Sequence, residues 1–210
     1  MAASASTGRK SIWKGERMKV LMINGSRREK GCTYTALSIV ADSLKEEGID
    51  SEIVFIGKDA TNGNIDACVA NLKAIAASAD GFIFGSPVYY ASPTGEIEII
   101  LDRLFSAAGA AMRHKPAAVV ASARRAGTTS TLDALAKYPA INEMPIVSSS
   151  YWPMVHGNTP DDVLKDEEGV GILKELGKNM AWILKCIDAG RMAGIAEPAK
   201  PQYSKTNFIR

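Results

Sequence analysis

From position 18 onward, short wholly apolar runs alternate with stretches whose apolar residues recur three and four apart. Lys19-Val-Leu-Met-Ile-Asn24 is apolar on both sides of an extended chain, the mark of a strand buried inside a parallel sheet. Gly25-Ser26 ends it. Thr33 to Glu47 then carries Leu37, Val40, Ala41 and Leu44 on one helical face, and Gly48 stops that helix. The same reading predicts strands at Ser51–Ile56, Gly81–Gly85, Ala117–Ser122 and Met144–Ser148. It predicts helices at Asp66–Ser78, Thr94–Ala108, Ser130–Lys137 and, at greater length, Lys165–Ala189.

Five apolar strands alternating with amphipathic helices predict an α/β fold with a doubly wound parallel sheet. Right-handed crossovers leave few topologies, and five strands favour the order 2-1-3-4-5 over the six-strand dinucleotide fold. In that order the connections after strands one and three leave in opposite directions. A ligand crevice is therefore expected at the carboxyl ends of those two strands.

Composition narrows the class. The 210 residues, 46% of them hydrophobic, suit one domain with a full core. No apolar run reaches the roughly 20 residues of a membrane helix. Residues 1–17 are basic but lack an apolar segment, so they read as a flexible N-terminal arm and not a secretory signal. Residues 18–196 form the domain, and residues 197–210, with Pro198 and Pro201, an extended C-terminal tail. The net charge of +2 is unevenly spread. Arg9, Lys10, Lys14 and Arg17 outweigh Glu16 in the arm, and Lys200, Lys205 and Arg210 outweigh Glu197 in the tail, so the body is net negative. Such a body is no nucleic-acid platform. Cys32, Cys68 and Cys186 are odd in number and far apart, which argues against disulfides, a zinc site and an iron–sulfur cluster, and for a reducing, cytoplasmic setting.

Candidate chemistry sits in three loops. Asn24-Gly-Ser-Arg-Arg-Glu-Lys-Gly-Cys-Thr-Tyr-Thr35 joins the first strand to a helix start. Its glycines let backbone approach a ligand closely, and Ser26, Thr33 and Thr35 offer hydroxyls. Helix amides together with Arg28 make an anion site there. The loop lacks both the nucleotide-binding GxxxxGK[ST] and the dinucleotide-binding GxGxxG patterns. After the third strand, Gly85-Ser-Pro-Val-Tyr-Tyr-Ala-Ser-Pro-Thr-Gly95 offers Tyr89, Tyr90 and free backbone groups to a planar ligand. After the fourth, Ser122-Ala-Arg-Arg-Ala-Gly-Thr128 brings Arg124 and Arg125, with Gly127 at the turn. His156 follows the fifth predicted strand among aromatics and is not assigned a role.

The pairing of INGSRREKGCT with DGFIFGSPVYYASPTGEIEIILDR resembles the NADPH-dependent FMN reductase family of the flavodoxin-like superfamily. Against that family's GSPRxxGNT loop, Gly25, Ser26, Arg28, Gly31 and Thr33 agree, while Arg27 replaces proline and Cys32 replaces asparagine. The resemblance implies bound FMN, its phosphate held by Ser26, Arg28, the Cys32 amide and Thr33. It also implies that Pro87, Val88, Tyr89 and Tyr90 line the isoalloxazine, with the Arg124–Arg125 loop beside the pyrimidine. NAD(P)H is then the electron donor, a quinone, azo or nitro compound, free flavin or metal ion the acceptor, and a homodimer or homotetramer the assembly. A subgroup of relatives carries an iron–sulfur cluster, whose closely spaced cysteines this chain lacks. A flavodoxin-type electron carrier and a non-enzymatic sensor stand as alternative readings.

Overall fold

In the computed structural model, which describes residues 17–199, five parallel strands form one sheet in the order β2-β1-β3-β4-β5. The strands are β1 (Lys19–Asn24), β2 (Asp50–Phe55), β3 (Gly81–Pro87), β4 (Ala117–Ala123) and β5 (Met154–His156). Between and after them lie α1 (Cys32–Glu46), α2 (Gly57–Thr61), α3 (Ile65–Ser78), α4 (Gly95–Met112), α5 (Thr128–Ile141), α6 (Pro160–Lys165) and α7 (Glu167–Met192). The order is the expected one, with Val20 opposite both Ser51 and Gly81 across β1's two neighbours.

Each central strand feeds two cores by its period of two. Leu21, Ile23, Phe82 and Phe84 join Leu72, Leu101, Leu104 and Leu132 from α3, α4 and α5. Val20, Met22 and Ile83 join Leu37, Leu44, Leu173 and Leu176 from α1 and α7. Fully burying each such side chain contributes about 1.5–3 kcal/mol, so the central strands are fixed from both faces. An aromatic chain from Phe82 through Phe84 and Phe105 to Tyr138 runs through the first core.

One expected element moves and two short helices are added. The fifth strand is Met154–His156, not Met144–Ser148. The predicted segment makes only a single bridge, Ile146 to Ala117, before the chain leaves the sheet edge and returns at Pro153. The flanking prolines explain the break, since neither Pro145 nor Pro153 has an amide hydrogen to give. The expected long last helix is α7, which starts at Glu167 because Asp166 leaves helical geometry (ψ 78°) and caps it through Gly169, while the short α6 ahead of it lies outside the expected elements. The short helix α2, which follows β2 directly, has no counterpart in the periodicity. The arm up to residue 16 and the tail from residue 200 lie outside the described residues.

Candidate functional site

The carboxyl ends of β1, β3 and β4 converge on one pole. At β1, Asn24 is fully buried and accepts from the Ser26 amide (3.1 Å) while donating to the Glu29 carbonyl (2.8 Å). The Ser26 hydroxyl takes the Arg28 amide at 3.1 Å. These bonds curl residues 24–29 into a fixed turn, and the chain enters α1 at Gly31 with no side chain capping it. The first i→i−4 bond of α1 is Thr35 N–H to the Gly31 carbonyl (3.1 Å). The amides of Cys32, Thr33 and Tyr34 therefore lie beyond the helix's own bonding and open onto the pole. Added to the helix dipole and the exposed Arg28, they form an anion cradle that fits a phosphate.

Hydroxyls in this cradle are not equally available. Thr33 Oγ1 shares a 2.8 Å hydrogen bond with Ser122 Oγ, and Thr35 Oγ1 donates to the Gly31 carbonyl at 3.3 Å. Cys32 is half-buried with its sulfur against the Gly157 carbonyl (3.7 Å), and burial pushes its thiol pKa up. It is a neutral thiol whose amide, not its sulfur, faces the cradle's work.

The β3–α4 connection is tied to the first loop from below. Thr94 donates to the Gly25 carbonyl (2.6 Å) and caps α4 by accepting from Ile97, while its own amide binds Ser86 Oγ (3.0 Å). Gly25 is required for this closeness, since a Cβ there would stand 2.6 Å from Ile97 Cβ. A second tie crosses above: Arg27 Nε binds Glu96 Oε1 at 2.5 Å, and its guanidinium lies 5.2 Å over the Tyr89 ring. The carboxylate beside it raises the Arg27 pKa further. Glu96 Oε2 is buried without a hydrogen-bond partner among the described residues.

At the tip, Tyr89 and Ser92 exchange two backbone hydrogen bonds around Tyr90 (φ 52°) and Ala91 (φ 59°). Two consecutive positive φ values match a type I′ turn, which ordinarily uses glycine or asparagine. The turn holds the Tyr90 side chain wholly in solvent. The β4–α5 connection packs against it. Val88 N–H donates to the Ser122 carbonyl (2.9 Å), and Ser130 Oγ to the Ala91 carbonyl (2.6 Å). Gly127 sits at φ 99° where a Cβ would come within 2.7 Å of Val88. Arg124 and Arg125 project, exposed, from this last lip.

The structure thus brings together Ser26, Arg28, Cys32, Thr33 and Thr35 on one lip, Pro87 to Tyr90 on the second and Arg124, Arg125 and Gly127 on the third. Five residues that fasten the lips carried no assignment in the sequence: Asn24, Ser86, Thr94, Glu96 and Ser122. Only two had a readable signal, a polar Asn24 ending an apolar run and Thr94 three residues before Ile97 at a helix start. His156, in β5 opposite Ala123, gives its amide to Asp166 (2.7 Å) and places Nδ1 3.5 Å from the same carboxylate.

A sequence profile of the NADPH-dependent FMN reductase family matches residues 18–159. The chain is 27% identical over 196 residues to an iron–sulfur flavoprotein of Methanocaldococcus jannaschii, an alignment covering 81% of this chain and 99% of that one. It is 30% identical over 109 residues to an NADPH azoreductase of a Bacillus species, covering 50% of this chain and 59% of the relative. A flavodoxin of WrbA-like type from Agrobacterium tumefaciens superposes with a TM-score of 0.62 at 16% identity, over 81% of this chain and 98% of that one. The iron–sulfur relative's cluster does not fit these residues. Such clusters are held by four cysteines as a rule, whereas Cys68 is buried in the α3 core, Cys32 packs against the opposite core and Cys186 is exposed on α7.

Proposed function

This chain belongs to the NADPH-dependent FMN reductase family, and from that premise we propose that it binds FMN at the three-lipped pole and passes electrons from NAD(P)H to a small acceptor. The observation that carries the reading is the uncapped start of α1, three open amides beside Ser26 and Arg28, joined through Thr33 and Ser122 to the other two lips. FMN, when bound, would supply hydride acceptance from the nicotinamide and electron delivery to the acceptor in a ping-pong sequence.

The protein's part is to bind, orient and stabilise charge. Ser26, Arg28 and the amides of Cys32 and Thr33 hold the phosphate, with Thr35 fixing the first turn behind them. Pro87, Val88, Tyr89 and Tyr90 line the isoalloxazine edge with backbone groups and flat rings. Gly127 lets the third lip close against Val88, and Arg124 or Arg125 offsets the negative charge that the reduced ring tends to carry. No protein nucleophile is required. The acceptor is a quinone, an azo or nitro compound, free flavin or a metal ion, and the azoreductase relative favours the azo class. The exposed Tyr151–Trp152 edge-to-face pair and Trp182 suit burial in a homodimer or homotetramer.

The visible spectrum of the purified protein tests the reading. Bound FMN absorption that bleaches on anaerobic addition of NADPH, and returns with an azo dye or menadione, is the expected result. FMN absorption that bleaches with dithionite but not with NADPH or NADH would instead make the protein an electron carrier. Absence of any FMN affinity would end both readings.

A further inference from the structure

Arg27 and Arg28 are neighbours in sequence but serve opposite sides of the first loop. The Arg28 side chain packs along Gly31 at the entry to α1, where a Cβ on that glycine would meet Arg28 Cβ at 3.1 Å and Cδ at 3.8 Å. Arg27 turns the other way, to Glu96 in the first turn of α4 and to the Tyr89 ring. The phosphate cradle at α1 is thus complete without Arg27.

What Arg27 has instead is a mount. The Glu96 side chain is only 8% exposed, so its carboxylate sits at a fixed place, whereas the Arg27 side chain is 59% exposed. The contact is made through Nε alone, and the ring of Tyr89 limits the guanidinium from the side. Both terminal amino groups are left without a partner among the described residues, at the rim of the lip that carries Tyr89 and Tyr90. An arginine pinned by a buried carboxylate loses less freedom on binding than a free one, and its planar fork matches the paired oxygens of a phosphate. A merely solvated arginine would not need a buried carboxylate whose second oxygen goes unpartnered.

We propose that Arg27, positioned by Glu96 and Tyr89, is the anchor for a phosphate of the incoming dinucleotide, distinct from the FMN phosphate cradle. The proposal rests on the reductase reading above. A nicotinamide laid against the flavin edge at Tyr89 and Tyr90 trails its phosphates outward, and Arg27 is the fixed cation on that rim. Two phosphates can meet it, the diphosphate bridge common to NADH and NADPH or the 2′-phosphate of NADPH alone. Glu96 is a positioning residue and touches neither.

The test uses FMN-loaded protein, steady-state turnover with NADPH and with NADH, and calorimetric titration with 2′,5′-ADP and 5′-ADP, which needs no turnover. Arg27→Gln is expected to keep its FMN absorption and kcat while KM for the donor rises about tenfold. A KM rise confined to NADPH with weaker binding of 2′,5′-ADP alone assigns the 2′-phosphate, and an equal KM rise for both donors with weaker binding of 5′-ADP, the probe that carries a diphosphate, assigns the diphosphate. Glu96→Ala should show the same KM rise, and Glu96→Gln, which keeps an oxygen for Nε, should largely restore it. Unchanged donor KM and ADP affinity in Arg27→Gln, or a change confined to the acceptor's KM, overturns the inference while leaving the reductase reading intact. Wild-type protein that holds FMN but is reduced by neither dinucleotide overturns both.

Discussion

At the scale of single residues, the pole depends on buried side chains that hold its loops in place. Asn24→Ala removes two hydrogen bonds from a fully buried position and frees the turn that aims Ser26. It should cost about 1–3 kcal/mol in urea unfolding and weaken FMN binding measured by quenching of flavin fluorescence. Ala91→Gly should act the other way. Residue 91 is left-handed at φ 59°, so glycine relieves about 1 kcal/mol of strain and raises the unfolding midpoint. Cys68, whose thiol burial pushes up to about 11, should resist iodoacetamide at neutral pH while exposed Cys186 reacts, as peptide mass mapping would show. The residues of the proposed cradle stood out in the sequence because glycines, hydroxyls and cations crowd one loop. Glu96 did not, since an acid in a first helical turn reads as an ordinary partner for the helix dipole. Its burial and its bond to Arg27, 69 positions away, exist only in three dimensions.

Among elements, the join between α6 and α7 shows where periodicity stops being informative. Val163 and Leu173 both belong to the same core, yet the six residues of α6 are too few to show a helical period of their own. The break is set by Asp166 serving two masters, the Gly169 amide of α7 and the His156 amide of β5. Asp166→Ala should therefore cost about 1–2 kcal/mol in chemical denaturation, a lost cap. Helix α6 carries its own signature, a capping box of Thr159 and Asp162 with Pro160 at its first turn. The Thr159 hydrogen bond, then Lys165, holds the Asp162 carboxyl below the ordinary carboxylate value. The folded state thus binds this proton less readily than the unfolded chain. The stability it lends is fully present above the usual aspartate pKa near 3.9 and is lost as pH falls through the lowered folded value. Asp162→Asn should flatten the acid limb of a melting-temperature profile and leave the neutral region little changed.

For the whole molecule, strand order and the location of the crevice were legible because central strands are apolar on both faces and the order fixes where connections diverge. The sheet's last edge was not, because Ile146 and Val155 look alike in a linear pattern while only the latter lies in a strand. That edge has a bearing on solubility. Ala117 and Ala121 of β4 donate to Pro145 and Pro153, so eight residues of the outer chain accompany four of β4 and the surplus is thrown out as a bulky, aromatic-bearing detour. A straight border would present a run of idle amides and carbonyls that any second molecule could zip onto. Removing Ser149 to Trp152 should straighten the border, and the shortened protein should turn cloudy on gentle warming at concentrations where the parent stays clear.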